Sequence, residues 1–242
     1  MLQLLIPLWE NLPDWSSRLL PAAGRTLLLT GLSYVLALAL AIVLEILRTR
    51  PLRVLRSTVD AFINVVRGIP LLAILYLVYF ALPAAGILLY PFEAGVIGLG
   101  IVYSAYLAEV LRAGISSLHK GQREAALAVG MSPAMAFRLI VLPQAIRVVL
   151  PPLLVTLISL LKDSSVCALI AVNELMLTSR AIMAETFLPL QVFVLVGAFY
   201  FFLAWPASIF VRRLEQRLNR GRKSWRDPGE AATAVPREAL MT

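Results

Sequence analysis

Residues 114–143 read GISSLHKGQREAALAVGMSPAMAFRLIVLP. Glu124-Ala125-Ala126 is followed after three residues by Gly130 and after nine more by Ile140, and Leu142-Pro143 closes the stretch. Gln122 to Val129 is built from good helix formers. Gly130 is placed to end that helix, because a residue in the left-handed conformation just past a helix end favours glycine. Ser132-Pro133 then offers a capping hydroxyl and a first-turn proline for a second helix. The expected unit is helix, glycine, helix. Ala125, Ala126, Ala128 and Ala134 keep its surface slim, Arg123 and Glu124 add polar contacts, and such a shape fits a groove on another protein.

Outward from this loop, the chain is apolar on both sides. A bilayer core of about 30 Å needs about 20 residues of helix. Residues 94–111 carry one charge, Glu109, and residues 148–172 carry Lys162 and Asp163 among hydroxyls and apolar side chains. Residues 27–47 are apolar except for Glu45 and a few small polar groups, while 68–92 and 187–211 hold no formal charge. The expected fold is therefore all-α, a polytopic membrane protein of about five transmembrane helices. Pro70, Pro151, Pro152 and Pro206 would start or kink these helices, which neighbouring helices re-satisfy inside a bundle. Residues 1–21 lack a basic start and are interrupted by Glu10 and Asp14, unlike a signal peptide. With Trp9 and Trp15 they read as an extracytoplasmic interfacial segment.

Composition agrees with lipid as the solvent. The chain has 242 residues, 60% of them hydrophobic and 15% charged, with a mean hydropathy of +0.84. Typical soluble domains have about 45–50% and about 25%. No water-soluble interior of this size hides so much apolar surface. A net charge of +8 would suggest nucleic acid in a soluble protein. Here eighteen of the 22 basic residues fall in the segments after the first, third and fifth spans. By the positive-inside rule this predicts an outside N-terminus, a cytoplasmic C-terminus and no nucleic-acid partner. Residues 216–242 form a polar, cytoplasmic tail expected to be disordered. Cys167 is the only cysteine and His119 the only histidine, a poor basis for a disulfide or a metal site.

Charges inside a bilayer are costly and are functional candidates for that reason. Thr156, Ser159 and Asp163 share one helical face, because offsets of three and seven residues return to nearly the same angle; Lys162 lies about 100° away. This stripe could meet the ammonium and carboxylate of an amino acid or could hold helices together. Asp163 would then contact substrate, or pair with Lys162 or with another span. Arg67 before Gly68-Ile69-Pro70 is either a snorkelling helix-end residue or part of a gate. Glu109 is read first as a partner of Arg112 three residues on, with a gate contact as the alternative. Glu45 and the basic loop residues are read as interfacial charges or topology signals.

The loop's spacing resembles the EAA signature of the membrane subunits of bacterial ABC importers. Further segments are similar to the polar amino acid permease branch: Arg67-Gly68-Ile69-Pro70-Leu71-Leu72, Ala105-Tyr106-Leu107-Ala108-Glu109, Arg112-Ala113-Gly114-Ile115, Lys120-Gly121-Gln122, Leu142-Pro143-Gln144-Ala145, Leu161-Lys162-Asp163-Ser164-Ser165 and Glu174-Leu175. The resemblance covers roughly residues 20–215. It implies a type I importer permease, with a transmembrane domain over 22–215, in the bacterial cytoplasmic (inner) membrane. It also implies a second permease subunit, a cytoplasmic ATPase dimer and an extracytoplasmic amino acid-binding protein as partners. ATPase coupling falls on Gly121, Gln122, Glu124, Ala125, Ala126, Gly130, Ile140, Leu142 and Pro143. The chain is then no enzyme and carries no catalytic residue or cofactor; ATP and Mg²⁺ belong to the partner, and no G-x-x-x-x-G-K-[ST] loop is present here. Many members of the branch have Gly-Asn-Glu where this chain has Leu154-Val155-Thr156. With one carboxylate in the stripe, neutral or acidic amino acids, or the non-binding half of a heterodimer, are the expectations. An ion-coupled secondary transporter would need coupling-ion sites and usually repeats, and neither stands out in the sequence.

Overall fold

The computed structural model describes residues 6–118 and 120–219, and all regular structure among them is helical. Four helices are long and apolar enough to cross a membrane, and the bent pair Arg53–Gly68 and Leu71–Ala85 passes the same test only when its two arms are taken together. His119, residues 1–5 and the expected tail from residue 220 lie outside the described residues.

Helix α1 runs unbroken from Ile6 to Arg48, 43 residues, with Pro13 and Pro21 inside it. At 1.5 Å per residue it reaches about 64 Å, twice the hydrocarbon core. The boundary expected after residue 21 therefore falls in mid-helix. Trp15 also departs from its expected place in the interface: it is 1% exposed. Together with Leu19, Ala22 and Ala23 it packs against Leu175, Ile182, Val192 and Val196. Tertiary packing has taken a ring that sequence position alone would give to headgroups, whereas Trp9 stays exposed.

Helix α2 (Arg53–Gly68) turns through 106° into a short span. That span is α3 (Leu71–Tyr76), continued by a π turn (Leu77–Ala81) and a 3-10 turn (Leu82–Ala85). The break has a local cause. Ile69 and Pro70 are extended, because the residue before a proline is pushed out of the helical region and proline donates no N–H. The second span is accordingly shorter than the expected 68–92. Gly68 ends α2, and Phe92 belongs to the next helix.

Helix α4 (Pro91–Ser116) is the centre of the bundle, 61% buried over its most apolar stretch. Small residues let neighbours approach it, as in membrane bundles generally. A methyl at Gly98 would sit 2.6 Å from Leu75, one at Gly100 2.6 Å from Leu36, and one at Gly114 would overlap Val149. Two short helices follow, α5 (Lys120–Ala128) and α6 (Pro133–Ala136), then a π turn (Phe137–Val141) into α7 (Leu142–Asp163). Pro143 lies in the first turn of α7, and Pro151 and Pro152 lie inside it. A 3-10 stretch (Ser164–Ile170) leads to α8 (Leu175–Thr186) and α9 (Pro189–Asn219). Helix α9 carries through 216–219, four residues expected in the tail. Only 11% of its apolar stretch is buried within the chain. Two cores result, one of α1, α2, α3, α4 and α7, the other of the first part of α1 with α8 and α9.

Candidate functional site

The loop between α4 and α7 folds as its residues dictate. Gly130 has φ +85° and donates its N–H to the Leu127 carbonyl, while the Met131 N–H reaches Ala126. These are the paired bonds of a Schellman ending, which satisfies carbonyls that α5 would otherwise leave open. The Ser132 hydroxyl then accepts from the Met135 N–H at 3.3 Å, with Pro133 in the first turn of α6. Ala126 and Ala136 are the buried residues of the two short helices. Gly121, Gln122, Glu124, Ala125, Leu142 and Pro143 are exposed, and Ile140 is half-buried in the π turn. Leu127, Val129, Met135, Phe137 and Leu139 are exposed large apolar groups around the same unit. A residue outside the expected set fastens it. Gln144 on α7 donates to Gln122 on α5 and to the Ile140 carbonyl.

At the loop end of α4, Glu109 is more than the partner of Arg112. Arg112 donates to it at 2.6 Å, Arg48 at 2.9 Å, and Arg67 stands 4.0 Å away. Arg48 also reaches Glu45 at 3.0 Å and Asp60. Three helices, α1, α2 and α4, thus meet in one charge cluster. Glu45 and Arg48, expected to be interfacial or topological charges, are structural members of it. Arg67 additionally lies over the Tyr106 ring, 5.5 Å from its centre, within cation–π range.

The polar stripe of α7 divides at its end. Asp163 accepts a hydrogen bond of 2.7 Å from the Tyr103 hydroxyl of α4, a pairing invisible in sequence because it joins residues 60 apart. No ion pair joins Asp163 to Lys162 among the described residues. Lys162 instead lines a groove of about 480 Å³ between α7 and α9, with Ile158, Tyr200, Phe201, Trp205 and Arg212. The two directions agree with the roughly 100° between successive helix residues. Thr156 and Ser159 donate to the Pro152 and Val155 carbonyls of their own helix, so their hydroxyl oxygens remain as acceptors.

At the far end of the bundle, the fully buried Glu174 caps α8. It accepts from the Leu177 N–H and the Tyr200 hydroxyl, both at 2.9 Å, and the Thr26 hydroxyl lies 3.4 Å away. Thr26 in turn accepts the Leu175 N–H at 3.1 Å. Burial pushes the Glu174 carboxyl above its ordinary value, against the pull of these hydrogen bonds.

Residues 22–220 match the family of binding-protein-dependent transport system inner membrane components. The chain is 41% identical over 188 residues to the probable glutamine ABC transporter permease protein GlnM of Bacillus subtilis, covering 78% of this chain and 85% of that one. It is 35% identical over 213 residues to the glutamine transport system permease protein GlnP of Escherichia coli, covering 85% and 97%. In three dimensions it is similar to a chain of the crystal structure of an amino acid ABC transporter with histidines, with a TM-score of 0.82, 31% identity and coverage of 86% and 97%. A likeness shared along nearly the whole membrane-embedded length leaves one conclusion: the chain belongs to the family of binding-protein-dependent transport system inner membrane components, as a non-catalytic permease subunit of the amino-acid ABC importers.

Proposed function

We propose that this chain carries polar amino acids inward by alternating access, as one of two permease subunits driven by a cytoplasmic ATPase dimer. An extracytoplasmic binding protein delivers the amino acid, and ATP and Mg²⁺ stay on the ATPase. In this reading the N-terminus is outside, the C-terminus is cytoplasmic, and the α5–α6 unit docks the ATPase. The observation that carries it is the α5–α6 unit itself, whose ends are satisfied internally while Glu124, Leu127, Val129 and Phe137 remain exposed. Movement of the docked ATPases then biases a bundle with two arrangements of its spans.

The stripe on α7 is the proposed substrate contact. Asp163 is its single carboxylate, oriented by Tyr103, with Thr156 and Ser159 offering hydroxyl oxygens on the same face. That chemistry suits a neutral or acidic amino acid better than a cationic side chain, or marks a non-binding half of a heterodimer. Arg67 and Glu109 act at the cytoplasmic gate.

Gly130→Leu tests the docking. A branched side chain in the left-handed region costs about 1–2 kcal/mol, on the order of a tenfold loss in ATPase coupling if the strain falls on docking. Uptake driven by ATP should fall while the protein remains in the membrane, and Gly130→Asn should retain more, since Asn tolerates that region. Normal uptake in the Gly130→Leu protein would overturn the assignment. Uptake by the chain alone, driven by a proton or sodium gradient, would replace the ATP-driven reading with an ion-coupled one. Competition by arginine and lysine only would overturn the substrate preference.

A further inference from the structure

Among the described residues, α2 belongs to the one pair of apolar helices that is sharply bent at a short break. It meets the following span at 106°, so that α2 lies close to the membrane plane when α3 crosses the bilayer. Its residues divide among three faces. Val59, Ile63 and Val66 are buried against the bundle. Val54, Ala61 and Val65, at offsets of seven and eleven residues, form an exposed apolar stripe, with Val54 80% exposed. The third face carries Arg53, Ser57 and Asn64, all exposed, with Arg56 at its edge and Arg50 in the turn just before.

The arginines of this short region have two fates. Arg48 turns inward onto three carboxylates. Arg50, Arg53 and Arg56 are exposed and make no salt bridge among the described residues. Asp60, the nearest acidic group along α2, is already bonded to Arg48. An exposed apolar stripe beside unpaired guanidinium groups, on a helix at a steep angle to the apolar segment that follows it, has the character of an interfacial amphipathic helix. Guanidinium matches phosphate oxygens in pairs of hydrogen bonds.

We propose that Arg50, Arg53 and Arg56 form a binding site for the phosphate of anionic phospholipid headgroups, with the Val54–Val65 stripe against the acyl chains. The cytoplasmic leaflet as the source of that lipid rests on the orientation proposed above. Each basic group beside an anionic membrane surface adds about fivefold to affinity. The site would make the importer's cytoplasmic end sensitive to anionic lipid content and to salt.

The test uses the purified full chain in mild detergent, mixed with equal amounts of phosphatidylglycerol and phosphatidylcholine, with retained lipids counted by native mass spectrometry. Wild type should retain phosphatidylglycerol preferentially. Loss of that preference by at least about tenfold is expected in R50Q/R53Q/R56Q, and retention of most of it in R50K/R53K/R56K. Equal preference in wild type and the Gln variant would overturn the site. So would a Gln variant that keeps its preference for phosphatidylglycerol but no longer co-purifies with its ATPase, because the arginines would then serve the protein partner. Protease accessibility of a C-terminal tag in right-side-out vesicles reads orientation separately: a tag cleaved from outside would sink the orientation while leaving the headgroup result intact.

Discussion

Two of the polar clusters that join α1 to the bundle use opposite chemistry. Near the coupling loop, Arg48 joins Glu45, Asp60 and Glu109 from α1, α2 and α4 in a cluster of full charges. At the far end, Glu174 is fully buried and is met by neutral donors, the hydroxyls of Thr26 and Tyr200 and the backbone N–H groups of Met176 and Leu177. The difference follows from burial. A charge costs less where side chains still reach water, and three carboxylates around one guanidinium satisfy it from several directions. Deep in the packed end, an unpaired carboxylate is expensive, so neutral donors surround it and its acid form is favoured. Removing the central group should therefore be costly at both ends, for different reasons.

The largest effect is expected at Arg48. Arg48→Met would leave Glu45, Asp60 and Glu109 facing one another with only Arg112 and Arg67 in reach, at a cost of about 3 kcal/mol. Thermal unfolding in detergent reads this directly, and restoration by Glu109→Gln in the same chain would show that carboxylate repulsion is the cause. An unchanged melting temperature in Arg48→Met would mean that the cluster is ornamental to stability.

Glu174 comes next. Glu174→Ala leaves the Leu177 N–H and the Tyr200 hydroxyl without their acceptor, for a loss of about 2 kcal/mol. The sign of its pH dependence separates the two ends further. Because the folded carboxyl titrates above its ordinary value, the native state binds its proton more tightly than the unfolded chain does. The stabilisation is fully present below the ordinary carboxylate range and is lost as pH rises through the raised folded value. Glu174→Gln should remove that decline in a melting-temperature series against pH. Parallel pH profiles for wild type and Glu174→Gln would show that folding leaves the proton affinity of the carboxyl unchanged.

How much of this was legible beforehand depends on how local each feature is. Gly130 and Ser132 act on backbone groups within four residues of themselves, and both helix ends formed as their residue types predict. Spans were readable because apolar length is a property of consecutive residues, and Ile69-Pro70 held the clue to the bend that shortened the second one. Long-range pairing was not readable. Tyr103 reaches Asp163 from another helix, Arg48 reaches Glu109 across 61 positions, and Thr26 reaches Glu174 across 148. Trp15 failed for the same reason: its ring is buried by α8 and α9, elements far along the chain. A lone polar residue in an apolar run signals that a partner exists, and only the fold says which one.

The smallest effect sharpens the comparison most, because it keeps the acceptor constant. Arg48 and Arg112 both bind Glu109, but the Arg48 side chain is 14% exposed and that of Arg112 is 49% exposed. Arg112 also needs no tertiary structure to meet Glu109, since three residues along one helix bring them together. Arg112→Gln should therefore cost less than about 1 kcal/mol, the ordinary worth of an exposed ion pair. Salt should erase that loss, because exposed charges are screened and enclosed ones much less so. Melting temperatures in low and high salt provide the measurement: the penalty of Arg112→Gln should shrink at high salt while that of Arg48→Met persists. If both shrink alike, the cluster is open to solvent throughout, and its contrast with Glu174 is one of ligand type and not of burial.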